Sequence, residues 1–225
     1  WFSSFLCSTP YEENEKAFIE QLDFLEAVGA SRINVCELTR CLFAEECSMF
    51  GNNKPVATDE EWDKLCDGLN KLGKIAADRG FKLCFHHHMA TVVQTLEETK
   101  RLMDNTDPRY VYLCFDTGHF TFSKEDAVKA AKEFGPRIGH LHLKDIRPDM
   151  MEKAYAEGFK FRKAVLEGCF TIPGDGCVDY PGVFKALHDA HYEGWFIVEA
   201  EQDPAKANPL EYAKMAREYI KKTAG

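Results

Sequence analysis

The sequence predicts a parallel α/β fold, either a (β/α)₈ barrel or a doubly wound sheet. Three observations carry that reading. Strand-like and helix-like stretches alternate through all 225 residues. Several strands are apolar on both faces, as in sheets covered by helices. Polar residues recur at the C-terminal ends of successive strands: Glu37, His86, Asp116, His142 and Glu199. In a barrel that end is the active face. No Gly-x-Gly-x-x-Gly follows any strand, which disfavours a dinucleotide-binding sheet.

Trp1 to Cys7 reads as a first strand, and Pro10-Tyr11 opens a helix over 12–28, with Phe18, Leu22, Leu25 and Val28 at helical spacing and Gly29 as its stop. Arg32 to Cys36 is a strand running into Glu37. A long connection, 38–58, turns at Gly51-Asn52-Asn53-Lys54-Pro55. Thr58-Asp59-Glu60-Glu61 is a capping box ahead of a helix whose buried stripe is Trp62, Leu65, Leu69, Leu72 and Ile75. Lys82 to His86 is a strand leading into His87 and His88. Residues 95–103 form a helix, Asp107-Pro108 a turn, and 110–116 the next strand. Ser123 is expected to cap a helix over 124–134 that Gly135-Pro136 ends.

Arg137 to Asp145 alternates apolar and polar residues, the period of a strand. Ile138, His140, His142 and Lys144 share one face, and three ionisable groups on one strand face are costly to bury without partners. This strand is expected to line a site. An insertion over 146–176, with one helix at 150–166, would cover the rim as a lid. Of its basic residues, Arg147 is expected to reach inward while Lys160, Arg162 and Lys163 face water. A helix at 180–190, a strand at 195–199 and a helix at 209–222 complete the chain. Six βα units where a barrel has eight imply that about two units precede Trp1, in a single partial domain over 1–225.

The chain carries 28 basic and 37 acidic residues, a net charge of −9, which disfavours nucleic acid and anionic membrane as partners. No apolar run is long enough to span a bilayer. Nine cysteines, an odd number without a Cys-x-x-Cys pair, point to reduced thiols in a cytoplasmic protein. Asp116, His142 and Glu199, brought to one rim by three strands, form an oxygen-rich set with one imidazole, suited to Mn²⁺, Co²⁺, Fe²⁺ or Zn²⁺.

Asp116-Thr117-Gly118-His119, Gly139-His140-Leu141-His142-Leu143-Lys144-Asp145, Pro173-Gly174-Asp175-Gly176 and Gly194 to Glu199 together resemble the xylose isomerase-like TIM-barrel superfamily. Cys84-Phe85-His86-His87-His88-Met89, Asn34 to Arg40, Pro173 to Asp179 and Val198 to Ala205 resemble, more narrowly, the inosose dehydratases. The resemblance implies metal ligation by Asp116, His142 and Glu199. The fourth ligand falls on the histidine triplet, where the superfamily has Glu: His86 by alignment, with His88 on the same strand face. His119 corresponds to a substrate-binding histidine, and His119, His88 and Lys144 are the candidates for acid and base. Glu37, Arg40, Arg147 and Asp175 are expected to bind the substrate, Asp175 equally as a turn residue. His87 and His140 read as supporting or core residues.

The implied reaction is metal-dependent dehydration of 2-keto-myo-inositol (scyllo-inosose), a cyclic polyol ketone, to a trihydroxycyclohexane-1,2-dione through an enediolate. Mn²⁺ or Co²⁺ is the implied cofactor, with glutathione implied by resemblance only. The alternative is a metal-dependent ketose or inosose isomerase or epimerase of the same superfamily. A repair nuclease is disfavoured by the charge, and a non-catalytic metal-binding chain or a homo-oligomer stays open at this point.

Overall fold

The computed structural model describes residues 1–224. Its elements follow the predicted alternation: β1 (Phe2–Ser4), α1 (Tyr11–Ala27), β2 (Arg32–Glu37), α2 (Asp59–Asp78), β3 (Lys82–His86), α3 (Leu96–Asp104), β4 (Val111–Asp116), α4 (Thr117–Phe122), α5 (Ala127–Phe134), β5 (Ile138–Leu143), β6 (Asp145–Ile146), α6 (Pro148–Glu157), α7 (Phe161–Glu167), β7 (Phe170–Thr171), α8 (Tyr180–Asp189), β8 (Phe196–Val198) and α9 (Pro209–Ala224). Six strands make one sheet in the order β1-β2-β3-β4-β5-β8, every neighbouring pair parallel.

Strand alternation sorts the side chains. Val35, Leu83, Phe85, Leu113, Phe115, Leu141 and Leu143 are buried in a core with Phe18 and Leu22 of α1, Leu65, Leu69 and Leu72 of α2, and Val183 and Leu187 of α8. Truncating one such leucine to alanine costs about 2–5 kcal/mol. The opposite face carries Asn34, Cys84, His86, Cys114, Asp116, His140 and His142. Ile138 leaves that face: the β4–β5 register shifts between Leu113 and Cys114, and Ile138 joins the core with Leu141. Gly139 sits at this irregularity, where an added Cβ would lie 2.7 Å from Tyr112 Cβ and 2.8 Å from Cys84 Sγ.

The predicted Thr58–Glu61 capping box is present. Thr95-Leu96-Glu97-Glu98 makes a second one at α3. Two expectations are corrected. The helix over 124–134 is instead α4 followed by α5, capped by Asp116 and Asp126, and Ser123 ends α4 rather than starting a helix. Lys124 takes a left-handed φ of 62°, which breaks the helix there. The single helix at 150–166 is instead α6 and α7, divided at Gly158 with φ 64°. A short antiparallel pair, β6 with β7, closes the base of this insertion.

Candidate active site

Asp116 ends β4 and caps α4 at once. Its Oδ1 accepts the His119 backbone N–H at 2.8 Å, which spends one carboxylate oxygen on the helix. Oδ2 is buried and has no hydrogen-bond partner. It faces His86 Nε2 at 3.6 Å, His142 Nδ1 at 3.7 Å, His119 Nε2 at 3.9 Å and Lys144 Nζ at 3.5 Å. His86 Nε2 and His142 Nδ1 are 3.1 Å apart, and His142 Nδ1 lies 3.0 Å from Glu199 Oε2. Glu199 follows β8 and is held by its N–H donating to Leu143 O. The four residues of the expected ligand set therefore converge.

Lys144 is fully buried among carboxylates, with Nζ 3.1 Å from Glu199 Oε2 and 2.6 Å from Glu201 Oε2. Thr117 clamps its backbone: the hydroxyl accepts from Lys144 N–H at 3.0 Å and donates to Lys144 O at 2.8 Å, with the Tyr180 hydroxyl 3.1 Å away. Burial opposes a charged lysine, but Asp116, Glu201 and Glu199 reverse this and keep the ammonium protonated. Burial likewise opposes ionisation of Asp116; the Lys144 ammonium, chiefly, overcomes it and holds the carboxyl well below the usual range. Glu199 is lowered against its own burial, chiefly by Lys144 and His142. At His142 the Cys114 sulfur and the Asp116 and Glu199 carboxylates outweigh burial and push the imidazole up to about 12. A field that favours an imidazolium favours any cation.

That field supplies the test of whether a divalent metal fits. Asp116, Glu199 and Glu201 face one ammonium, Lys144. Against uncharged imidazoles this leaves two negative charges uncompensated. Donors about 2.1 Å from one ion stand about 3.4 Å apart at a tetrahedral angle, and the His86–Asp116, His142–Asp116, His142–Glu199 and His86–His142 separations span 3.0–3.7 Å. Asp116 Oδ2 is a buried acceptor aimed at the same point. His86, Asp116, Glu199 and His119 also offer donor atoms mutually within 4.8 Å, a set with His119 in place of His142. The donors fit a divalent metal.

The histidine triplet divides its work. His86 enters the cluster. His87 Nε2 accepts the Asp116 N–H at 3.2 Å and its ring stacks on Phe120 at 3.7 Å, so it supports the strand end. His88 Nδ1–H donates to Met89 O at 2.7 Å, its ring stands 3.6 Å from that of His119, and burial holds its pKa well below the ordinary value.

A cavity of about 740 Å³ opens on this cluster, lined by His86, His88, Glu199 and Glu201, with Trp1, Leu38, Phe43–Glu46 and four residues of α7. The four expected substrate contacts do not line it. Glu37 is on the helix side of β2, where its carboxylate accepts from Ser4 Oγ, Leu6 N–H and the Thr39 hydroxyl. Arg40 pairs with Glu61 at the start of α2. Arg147 donates to Gly168 O, Thr171 Oγ1 and Asp175 Oδ2, which ties Asp175 into the base of the insertion. Arg162, expected in water, is the basic residue of α7 that lines the cavity. Pro173-Gly174-Asp175-Gly176 wraps Asp145, whose carboxylate accepts from Gly174 N–H and Val178 N–H. Sequence reasoning missed Glu201 and Cys114, although each stands two residues from a named ligand on the same strand-like face, and it missed Thr117, whose role depends on a tertiary contact.

The xylose isomerase-like TIM barrel family profile matches residues 2–223. The chain is 51% identical over 225 residues to an inosose dehydratase of Clostridium beijerinckii, covering all of this chain and 76% of that protein. The chain belongs to the inosose dehydratase family. A second family member, from Geobacillus thermodenitrificans, is 50% identical over 225 residues with the same coverage. Among solved structures, the IolI protein with a bound zinc atom superposes with a TM-score of 0.71 at 17% identity, over 95% of this chain and 70% of that one, a likeness of fold. Among the described residues no helix is long and apolar enough to cross a membrane.

Proposed function

We propose that this inosose dehydratase family member removes water from scyllo-inosose to give a trihydroxycyclohexane-1,2-dione. The observation that carries the reading is the convergence of His86, Asp116, His142 and Glu199 beside a buried lysine at the mouth of a cavity. Those four residues would hold a divalent ion, with Mn²⁺ or Co²⁺ favoured by the oxygen donors; glutathione as a further requirement rests on family resemblance alone. Bound there, the ion supplies Lewis-acid stabilisation of charge developing on the ketone oxygen.

The chain's own groups do the rest. His88 spends Nδ1–H on Met89 O and is uncharged, so Nε2 is the ring's acceptor and takes the proton from the carbon next to the ketone. The Lys144 ammonium, backed by Glu201 and by His119 Nε2, gives a proton to the departing hydroxide. Each positioned acid or base contributes about 10²–10⁴-fold. Residues 146–176 serve as the lid: α7 brings Phe161, Val165 and Leu166 to the cavity, and Phe161 and Phe43 form a triangle of tilted rings with His88, at centroid distances of 5.3 and 4.4 Å from it. Water excluded there cannot quench the enediolate. Nine unpaired thiols suit a cytoplasmic setting.

The test is turnover of scyllo-inosose by chelator-stripped protein, followed by the ultraviolet absorbance of the dione, with Mn²⁺ or Co²⁺ restored. Activity that returns with metal and is lost in Asp116→Asn and Glu199→Gln supports the reading. Epimerised or isomerised inosose without dione replaces it with the alternative activity.

A further inference from the structure

Two residues before Asp116, on the same face of β4, stands Cys114, a fully buried thiol that the dehydration scheme does not use. It is the cross-strand partner of His86 in β3, and its sulfur lies beside the His142 imidazole. His86, Cys114 and His142, all buried, each offer a donor atom within 4.8 Å of the other two. The two imidazoles thus face carboxylate oxygen toward the rim and sulfur toward the barrel floor, because Cys114 precedes Asp116 along a strand whose C-terminal end is the rim.

We propose that His86, Cys114 and His142 form a second metal position, one layer below the oxygen-rich one, that takes thiophilic divalent ions of the zinc and cadmium class. A soft sulfur with two borderline nitrogens selects such ions, whereas the carboxylate layer above suits harder ones. Binding forms one metal–sulfur bond and releases the thiol proton to solvent, with no change of oxidation state. Both positions use the same two histidines, so they fill in competition. An ion drawn down to the sulfur leaves the Asp116 and Glu199 layer without its partner, and zinc-class ions therefore inhibit an enzyme that harder ions activate. The inhibition rests on the dehydratase reading; the binding itself does not.

The full chain, stripped with chelator, is titrated with Cd²⁺ and Co²⁺ while ultraviolet absorbance is recorded. With Cd²⁺, a sulfur-to-metal charge-transfer band is expected in the wild type and in Glu199→Gln, and its loss is expected in both Cys114→Ser and Cys114→Ala; Co²⁺ serves as the probe of the oxygen-rich layer. Zn²⁺ affinity of Cys114→Ser should fall roughly tenfold or more, since removing even a supporting group costs that much. Cadmium-113 resonance of the wild type reads the sulfur ligand directly and does not depend on how the variants fold. A band that persists in both variants assigns the ligand to another thiol and overturns the proposal. Cd²⁺ binding without a band also overturns it while leaving the oxygen-rich centre standing. If the stripped wild type binds none of Cd²⁺, Co²⁺ or Mn²⁺, both fall.

Discussion

Lys144 Nζ lies 3.0 Å from His119 Nε2, and both side chains are closed to solvent. An ammonium only donates, so His119 Nε2 is an acceptor and its proton sits on Nδ1. Burial and the neighbouring His88 and Lys144 keep His119 uncharged. The pair is thus one ammonium shared between an imidazole and the Glu201 carboxylate, which receives it at 2.6 Å.

Replacing Lys144 with Met should lower kcat by about 10²–10⁴-fold, the contribution of a positioned acid. The same change removes a positive charge 3.5 Å from Asp116 Oδ2 and 3.1 Å from Glu199 Oε2. Mn²⁺ should therefore bind Lys144→Met more tightly than it binds the wild type. Isothermal titration checks this, and weaker binding would show that the lysine instead holds the site together.

Gly118 is the floor on which Lys144 lies. A Cβ there would meet Lys144 Cγ at 2.5 Å and Cβ at 2.7 Å. Gly118→Ala should displace the lysine, with an overpacking cost of about 1–3 kcal/mol in urea unfolding. Its loss of kcat should approach that of Lys144→Met. Full activity in this variant would mean that the lysine can shift without consequence to the chemistry.

Local physics made most of this legible before the structure. The strands at 82–86 and 32–37 follow from β-branched and apolar runs between glycine and charged turns, and the box at Thr58 follows from four residues. The convergence of His86, Asp116, His142 and Glu199 follows because residues at strand ends in a parallel α/β fold face a common rim. What failed depended on tertiary context. Asp116 reads as a ligand, and the structure also makes it a helix cap: Oδ1 accepts from the His119 N–H, while Oδ2 is left facing His86 and His142. Glu37 reads as a site residue because it ends a strand, but its odd-numbered register turns it to the helix side with Val35. Arg162 rather than Arg147 lines the cavity, on α7 beyond the break at Gly158, and Arg147 is tied into the base of the insertion.

Acid should weaken the α2 cap through Glu61. The Arg40 guanidinium and the Thr58 N–H hold its carboxyl down to about 2. A carboxylate lowered in the folded state stabilises it above the unfolded pKa of about 4.3, and that stability is lost as pH falls toward 2. The urea midpoint of the wild type should exceed that of Glu61→Gln at pH 7, and the gap should narrow steadily from about pH 4.5 downward. A gap independent of pH would assign the effect to packing.

Arg162 and Arg147 make the last contrast. Arg162 lines the cavity on α7, as Glu45 and Glu46 do from the long connection after β2, while Arg147 is bound to Gly168 O, Thr171 and Asp175 in the base of the insertion. If Arg162 contacts the substrate equally before and during the reaction, Arg162→Ala should raise KM about tenfold, one charge-assisted hydrogen bond, with kcat and Tm nearly unchanged. Losing Arg147 removes three hydrogen bonds that tie Gly168 O, Thr171 and Asp175 together, so Arg147→Ala should cost about 1–3 kcal/mol of stability and show as a lowered Tm. Steady-state kinetics and thermal unfolding of the two variants separate the roles. A KM effect confined to Arg147→Ala would return that residue to the substrate and move Arg162 back to the solvent.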